Sequence, residues 1–261
     1  MIKRLLLFIC LGSISIAQAQ DRSLFEKFRF VQNGDTLPYR ILLPENYDTA
    51  KAYPLVLFLH GRGESGSDNE KQLNNGSFLF LRDSIRKKYP AIVVFPQCAA
   101  NSYWSNVQTI ADVRGRREFY FVPDGEASLS MKLLLSLTDN LQARYKIKKD
   151  QVYVMGLSMG GMGTFEIVRR KPGVFAAAIP ICGGASPASA MAIKKTSWWI
   201  FHGAKDDVVR PAFSDKMQAA LKKAGAVVRY TVYPEANHNS WDPAFREPDL
   251  LSWLFAQRLK K

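Results

Sequence analysis

Short, almost entirely apolar segments recur along this chain and constrain its fold more than any other feature of the sequence. Each is bounded by glycine, proline or charged residues and is too short for a typical buried helix. Continuous apolar runs of this length are typical of strands that are buried on both faces, as in a parallel sheet. The segments cover residues 55–59, 91–95, 152–155, 176–179, 198–201 and 227–232.

Longer segments between the apolar ones predict helices. The longest of them, over residues 126–145, carries leucines at positions 129, 133, 137 and 141, which form one buried stripe. An alternation of strands and helices predicts an α/β fold, with a mainly parallel sheet and helices on both faces. The other predicted helices cover residues 78–89, 160–171, 211–224 and 248–259.

The beginning of the fold is predicted to be antiparallel. Residues 28–32 and 37–43 flank the turn signal Asn-Gly-Asp at 33–35, which predicts N-terminal antiparallel strands. No repeat or linker interrupts residues 24–259, and 47% apolar content is enough for one sizeable core. We therefore expect a single domain over residues 20–261.

Residues 97–124 fit this alternation poorly. They contain Trp104, a basic run at 114–117 and the aromatic triplet Phe-Tyr-Phe at 119–121. A long irregular insertion after a strand is where a lid or substrate wall would lie. An ordinary surface loop is the alternative.

The first residues have the pattern of a secretory signal peptide. Lys3 and Arg4 precede an apolar run over residues 5–16, and Ala-Gln-Ala at 17–19 offers a cleavage site. A membrane anchor is the alternative, but the run is shorter than the roughly 20 apolar residues that a spanning helix needs. We expect residues 1–19 to be a signal peptide, the protein to be secreted or periplasmic, and no stable membrane insertion after cleavage.

The formal net charge of +13 raises the question of an anionic partner. Such a charge could attract nucleic acid, anionic polysaccharide or a membrane surface. The basic residues are scattered, however, and the aromatic residues resemble a core rather than a stacking platform. We therefore interpret the charge as solvated surface and expect no nucleic-acid partner.

Two cysteines remain after the predicted signal peptide, Cys98 and Cys182. Both follow predicted strands at the same edge of the sheet, and an exported protein matures where disulfides can form. A bridge between them is one interpretation. Two buried thiols are the simpler one.

The pentapeptide Gly-Leu-Ser-Met-Gly at 156–160 carries the chemistry. It follows the predicted strand at 152–155 and opens a predicted helix, which is the context of a strained strand-to-helix turn that exposes a nucleophilic serine. Gly156 and Gly160 would avoid collisions of side chains with the neighbouring strand and helix. We predict Ser158 as the nucleophile.

A serine nucleophile needs a base, and the base needs an orienting carboxylate. Of the three histidines, His60 and His202 each end a predicted strand and are interpreted as organising the turn that follows. His238 lies in a polar loop after the last strand and is the predicted base. Asp206 is preferred to its neighbour Asp207 as the acid because it lies nearer the end of the preceding strand.

The predicted oxyanion hole combines two backbone amides. The Met159 amide directly follows the nucleophile, and the second is assigned to Arg62, with Gly61 as the less favoured alternative. Trp104 and Trp241, with the basic run at 114–117, could stack on a sugar or an aromatic acid and pair with a carboxylate. Each could equally be packing or surface.

The combined motifs resemble the feruloyl, acetylxylan and polyhydroxybutyrate-depolymerase-like esterases, a branch of the α/β-hydrolases that includes proteins labelled peptidases or phospholipase/carboxylesterases. The resemblance spans about residues 30–258 and implies the α/β-hydrolase fold with Ser158, Asp206 and His238 as catalytic residues. One departure is Arg210, where many relatives carry proline. The motifs lie at residues 59–64, 95–98, 156–161, 201–209 and 237–241.

The sequence thus predicts a secreted serine esterase that acts through an acyl-enzyme. The resemblance implies a small-molecule or oligosaccharide ester as substrate, such as an acetyl or feruloyl ester of plant-wall carbohydrate. No metal or organic cofactor is expected. A serine peptidase of the same fold and a non-catalytic carbohydrate-binding relative are the alternatives, and the oligomeric state is not predicted.

Overall fold

The apolar segments form the centre of one mixed sheet in the computed structural model, which describes residues 21–111 and 117–259. The predicted signal peptide and residues 114–116 of the basic run lie outside the described residues. In chain order the strands are β1 (Glu26–Gln32), β2 (Asp35–Leu42), β3 (Tyr53–Leu59), β4 (Ile92–Pro96), β5 (Val107–Ala111), β6 (Arg117–Phe121), β7 (Ile147–Leu157), β8 (Ala177–Ile181), β9 (Ser197–Gly203) and β10 (Val228–Tyr233).

The main sheet has eight strands in the order β1-β2-β4-β3-β7-β8-β9-β10. β2 pairs antiparallel with both β1 and β4, and the remaining neighbours are parallel. The prediction of a mainly parallel sheet with N-terminal antiparallel strands is therefore confirmed.

Helices cover both faces of this sheet, as predicted. Along β3, Leu55, Leu57 and Leu59 enter one hydrophobic core, while Val56 and Phe58 enter the other. The first core is closed by α3, α4 and α5, and the second by α1, α2 and α7. The helices are α1 (Ser77–Leu81), α2 (Asp83–Lys88), α3 (Leu129–Arg144), α4 (Met159–Arg170), α5 (Ala212–Lys223), α6 (Trp241–Ala244) and α7 (Leu250–Ala256).

The stripe on α3 shows how the pattern in the sequence becomes packing. Leu133, Leu137 and Leu141 are buried in the first core, whereas Leu129 at the start of the helix is exposed. Full burial of each leucine contributes about 1.5–3 kcal/mol. The Ser128 side chain accepts a hydrogen bond from the Met131 amide and caps the helix, which begins later than predicted.

Two predicted helices differ from the structure. The segment at 78–89 is divided between α1 and α2 because Arg82 has an extended backbone, with φ −66° and ψ 125°. The C-terminal helix ends at Ala256, and Leu259 instead donates its amide hydrogen to the Asp150 carbonyl. Tertiary contacts have overridden local helix propensity at both places.

The segment at 97–124 is more regular than predicted. β5 and β6 form an antiparallel hairpin, so the prediction of an irregular insertion is wrong for residues 107–111 and 117–121. Phe119 packs with Met162 and Val209, which attaches the hairpin to α4 and to the loop after β9. Four of the five residues of β5 are exposed, so this strand lacks the apolar run that indicates the buried strands.

Cys98 and Cys182 are both buried free thiols, which favours the simpler of the two interpretations. Over residues 21–111 and 117–259, no helix combines the length and apolar character needed to cross a membrane.

Candidate active site

The candidate catalytic residues come from loops that follow parallel strands. Ser158 follows β7, Asp206 follows β9 and His238 follows β10. β8 lies between β7 and β9, and β9 is paired with β10. Because the carboxyl ends of parallel strands meet at one edge of a sheet, these residues lie together despite their separation in sequence.

Ser158 lies on a strained turn. Its φ of 53° and ψ of −117° are unfavourable for a residue with a side chain, and its amide is held by the Ile181 carbonyl at 2.9 Å. A Cβ on Gly156 would lie 2.5 Å from the Gly160 carbonyl oxygen, and one on Gly160 would lie 1.9 Å from that of Leu59. The backbone therefore requires glycine on both sides of the serine.

His238 connects the serine to the acid. Ser158 Oγ lies 2.8 Å from His238 Nε2, and His238 Nδ1 lies 2.8 Å from Asp206 Oδ2. Since an ionised carboxylate can only accept, the imidazole donates from Nδ1, which leaves Nε2 to accept the serine proton. The Trp241 ring packs edge-on against His238 with centroids 5.5 Å apart.

Every oxygen of Asp206 has a donor. Oδ1 accepts from the Val208 and Val209 amides, each at 2.9 Å, while Oδ2 faces His238 and His202. Burial would raise the pKa of this carboxyl, but hydrogen bonds from His202, His238 and the Val209 amide hold the pKa far below its ordinary value. The carboxylate is thus ionised across the range in which esters are assayed.

Asp207 has a different environment from its neighbour. Its side chain is exposed, and its amide donates to Asn237 Oδ1 at 3.2 Å. The structure therefore brings Asp206, the preferred residue, to His238 and leaves Asp207 facing solvent. Their roles in catalysis stay a prediction.

The loop after β3 carries the predicted oxyanion amide. His60 Nδ1 donates to the Gly61 carbonyl at 2.6 Å, and Nε2 accepts from the Cys98 amide at 2.9 Å. Burial lowers the pKa of His60 to about 4, so the ring is neutral. The Gly61 carbonyl and the Arg62 N–H belong to the same peptide, and in a trans peptide these two groups point in opposite directions. Because the carbonyl faces the His60 ring, the Arg62 N–H points away from it.

The β3 loop lies beside the nucleophile turn. Leu59 pairs with Gly156, so the residues that follow them are neighbours at the sheet edge. The Met159 amide is the first of α4 and has no acceptor within that helix. The arrangement suits the predicted oxyanion hole, whose role stays a prediction.

The Arg62 side chain has contacts that the sequence did not indicate. It donates to the carbonyls of Ser102 at 2.7 Å and Ala100 at 2.6 Å, and its guanidinium lies 5.7 Å from the centre of the Tyr103 ring. These contacts fasten the loop after β3 to the segment that precedes the hairpin.

The two predicted substrate-binding tryptophans have different positions. Trp104 is completely buried against the His60 ring, with centroids 5.5 Å apart, so the prediction that it stacks on substrate is wrong. Its side chain lies in the first hydrophobic core. Trp241 is half-buried beside His238 and stays a candidate.

Cys182 lies next to Asp206 and His238, a position that no pattern in the sequence indicated. It follows β8 and has a φ of 42°. Its Sγ lies within 4.8 Å of a carboxylate oxygen of Asp206 and of a ring nitrogen of His238, the kinds of atom that could hold a metal ion. Burial, with the charge of Asp206, raises the pKa of its thiol. Since Asp206 and His238 already engage one another and the carboxylate is saturated by donors, we interpret the group as an acid–base pair rather than a metal centre.

His202 is a second neighbour whose contacts exceed the predicted turn-organising role. Its Nε2 lies 3.2 Å from Asp206 Oδ2 and 2.8 Å from the Val209 carbonyl oxygen, and its side chain is completely buried. The spacing of His202 four residues before Asp206 was visible in the sequence. Only the fold shows that the ring turns back towards the carboxylate.

Comparisons with known proteins agree with this geometry. The Esterase family model matches residues 32–242. A poly(3-hydroxybutyrate) depolymerase from Ralstonia pickettii is 30% identical over 138 residues, which cover 53% of this chain and 26% of that protein. The chain thus spans about a quarter of the length of this curated relative.

Solved structures show the same fold. A thermostable esterase superposes with a TM-score of 0.81 at 33% identity, covering 90% of this chain and 64% of that one. A feruloyl esterase module from Clostridium thermocellum, complexed with sinapinate, has a TM-score of 0.65 at 18% identity, covering 89% and 88%. The predicted α/β-hydrolase fold and the resemblance to this branch of it are confirmed.

Proposed function

Because the chain belongs to the Esterase family, we propose that it hydrolyses carboxylic esters through an acyl-enzyme formed on Ser158. His238 acts as general base and Asp206 as the orienting acid. The observation that carries the proposal is the chain of two 2.8 Å contacts from Ser158 through His238 to Asp206.

Each step uses an atom that the geometry supplies. His238 Nε2 takes the hydroxyl proton as Ser158 Oγ attacks the ester carbonyl carbon, and the same proton passes to the departing alkoxide. Water then attacks the acyl-enzyme with His238 again as base, which releases the acid and restores the serine. Asp206 stays ionised and stabilises the imidazolium at each stage.

The amides of Met159 and Arg62 bind the oxyanion of the tetrahedral intermediate. Donors fixed before the reaction need no reorganisation as charge develops, and loss of one typically lowers kcat by about 10²–10³. The N-terminus of α4 adds a favourable dipole at the same place.

We propose acetyl or feruloyl esters of plant-wall carbohydrate, or related small esters, as substrates. The likeness in motifs to carbohydrate esterases supports this choice, as does the feruloyl esterase fold. Trp241, beside His238, offers an aromatic surface where a sugar or an aromatic acid would reach the base.

The signal-peptide pattern supports action outside the cytoplasm. Removal of residues 1–19 leaves one domain over residues 20–261, secreted or periplasmic and not inserted in a membrane. A small-molecule or oligosaccharide ester is the partner that this location and site would suit.

The decisive experiment measures hydrolysis of p-nitrophenyl acetate and covalent labelling by a fluorophosphonate. Wild-type protein and Ser252→Ala, which alters an exposed serine on α7, are expected to be active and labelled, whereas Ser158→Ala is expected to lose both. Retention of hydrolysis in Ser158→Ala would contradict the proposal.

Substrate class is tested with acetylated xylan fragments, feruloylated xylan fragments and peptides at equal concentration. Ser158-dependent release of acetate or ferulate is the expected result. Cleavage of peptides without hydrolysis of esters would identify a serine peptidase instead.

A further inference from the structure

The ring of His202 lies between the catalytic acid and α5. His202 is in β9 and is completely buried. Its Nε2 faces the Val209 carbonyl oxygen at 2.8 Å and Asp206 Oδ2 at 3.2 Å, and its Nδ1 lies 2.7 Å from Ser214 Oγ. Ser214, on α5, also lies 3.1 Å from the Gly183 carbonyl oxygen and is itself completely buried.

The acceptors around Nε2 fix the position of one proton. A carbonyl oxygen and an ionised carboxylate can only accept, so Nε2 must carry hydrogen. Nδ1 faces a hydroxyl, which can donate to a neutral ring or accept from a charged one. In either state His202 presents an N–H to Val209 and Asp206.

The consequence is a carboxylate held from two sides. Asp206 Oδ2 receives an N–H from His238 and lies 3.2 Å from His202 Nε2, whose N–H is shared with the Val209 carbonyl, while Oδ1 receives the Val208 and Val209 amides. These contacts hold the carboxylate between the two rings and its own loop. We propose that His202, oriented by Ser214, is a positioning residue that keeps Asp206 ionised and directed at His238.

This inference rests on the proposed function and extends it to two residues that do not touch substrate. Packing alone does not explain the arrangement, because a buried polar ring is costly unless its nitrogens are hydrogen-bonded. Here both nitrogens are engaged, and one partner is the catalytic acid. An apolar side chain of similar size would fill the space without contacting Asp206 by hydrogen bonds.

Besides His202, titratable groups near the His238–Asp206 pair lie at the end of β8 and on the two loops that carry the pair. The Cys182 thiol, directly after β8, lies within 4.8 Å of both residues, and its raised pKa keeps it neutral. On the loops that carry Asp206 and His238, exposed Asp207 lies beside the acid, and Lys205 pairs with Glu235. A change at His202 leaves these groups in place.

The test is NMR of ¹⁵N-labelled histidine rings in the intact protein. The chain has only 3 histidines, so the signals are assigned by single substitutions. We expect His202 Nε2 to carry a hydrogen in this spectrum. Without the His202 N–H, Asp206 is no longer held against His238, and the hydrogen bond from His238 Nδ1 to Asp206 Oδ2 weakens.

In His202→Leu, the NMR signal of the His238 Nδ1 hydrogen is therefore expected to move from its wild-type position or to be lost by exchange with solvent. Ser214→Ala, a smaller change, is expected to shift the same signal in the same direction. Ser77→Ala removes a buried hydroxyl at the start of α1 that donates to the Leu73 carbonyl, and serves as the matched control. An unchanged His238 Nδ1 hydrogen signal in a folded His202→Leu or Ser214→Ala protein would overturn the proposal.

Activity gives a second readout. In His202→Leu, kcat for p-nitrophenyl acetate is expected to fall by up to about 10²-fold with KM unchanged, because the acid–base pair is misplaced in the transition state. His202→Gln, whose amide can donate a hydrogen bond to Asp206, is expected to restore kcat in part. If wild-type protein shows no Ser158-dependent hydrolysis, the proposed function fails, while the NMR spectrum still decides the role of His202.

Discussion

Glu118 forms an ion pair with Arg210, which attaches the β5–β6 hairpin to the loop that carries Asp206. Glu118 is on β6, and Arg210 lies four residues after Asp206. The Arg210 guanidinium also lies 5.8 Å from the centre of the Phe213 ring. Arg210, at a position where the family resemblance leads us to expect proline, thus contacts both the hairpin and α5.

This ion pair is expected to contribute little to stability. The Arg210 side chain is 56% exposed, and exposed pairs typically contribute about 0–1 kcal/mol because solvent screens them. Glu118→Gln should therefore lower the free energy of unfolding by less than about 1 kcal/mol. Urea denaturation measures this, and a larger loss would show that the pair organises the hairpin.

Gly160→Ala is expected to disrupt the site and the fold together. Its Cβ would meet the Leu59 carbonyl oxygen at 1.9 Å, and backbone cannot move aside as a flexible side chain can. We expect a loss of about 1–3 kcal/mol and of most fluorophosphonate labelling.

Gly63→Ala, in the loop after β3, is the matched control, because nothing lies within 4 Å of the position that its Cβ would take. Its stability should be unchanged or slightly increased. Thermal unfolding of both variants makes the comparison, and equal losses would show that the close approach at Gly160 is relaxed in solution.

Asp206→Asn is expected to lower kcat/KM by about 10³–10⁴, because an amide can no longer accept from both histidines and carries no charge to stabilise the imidazolium. Asp207→Asn, next to it but exposed, should stay within about threefold of wild type. Steady-state kinetics on p-nitrophenyl acetate compares them. A comparable loss of kcat/KM in both variants would contradict the assignment of the acid to Asp206 rather than Asp207.

The buried His60 predicts a dependence of stability on pH. Its folded pKa of about 4 lies below the ordinary value of 6.5, so the unfolded chain binds a proton that the folded protein excludes. The contribution of His60 to the free energy of unfolding is fully present above about pH 6.5. It falls by up to about 3 kcal/mol as the pH drops towards about 4.

The variant His60→Gln isolates this effect. It is expected to be less stable at neutral pH but to lose less stability between about pH 6.5 and about pH 4.5. Urea denaturation at several pH values measures both, and carboxylates contribute equally to the two proteins. Parallel pH dependences would contradict a neutral, buried His60.

The order of strands and the proximity of Ser158, Asp206 and His238 were predictable because each depends on a local pattern. Buried strands are continuous apolar runs, and the ends of parallel strands share an edge. Ser158 was also marked by flanking glycines, whose requirement is now explained by contacts with the Leu59 and Gly160 carbonyls.

Trp104 and His202 could not be placed from sequence because their roles depend on side-chain direction across distant segments. Trp104 follows a strand at the functional edge, yet its ring turns inward to pack on His60. His202 ends a strand as expected, yet its ring turns towards Asp206. The position of a residue along the chain does not determine the rotamer of its side chain, for Trp104 or for His202.

The hairpin leaves and rejoins the domain at nearly one point, since Val107 pairs with Phe121 and the Val122 amide donates to the Asn106 carbonyl at 3.1 Å. A segment closed at its base in this way can be lengthened, shortened or exchanged while the distance between β4 and α3 stays the same. The chain therefore separates the sheet edge that carries Ser158, Asp206 and His238 from a hairpin that can be exchanged, which gives protein engineering a defined place to vary the chain.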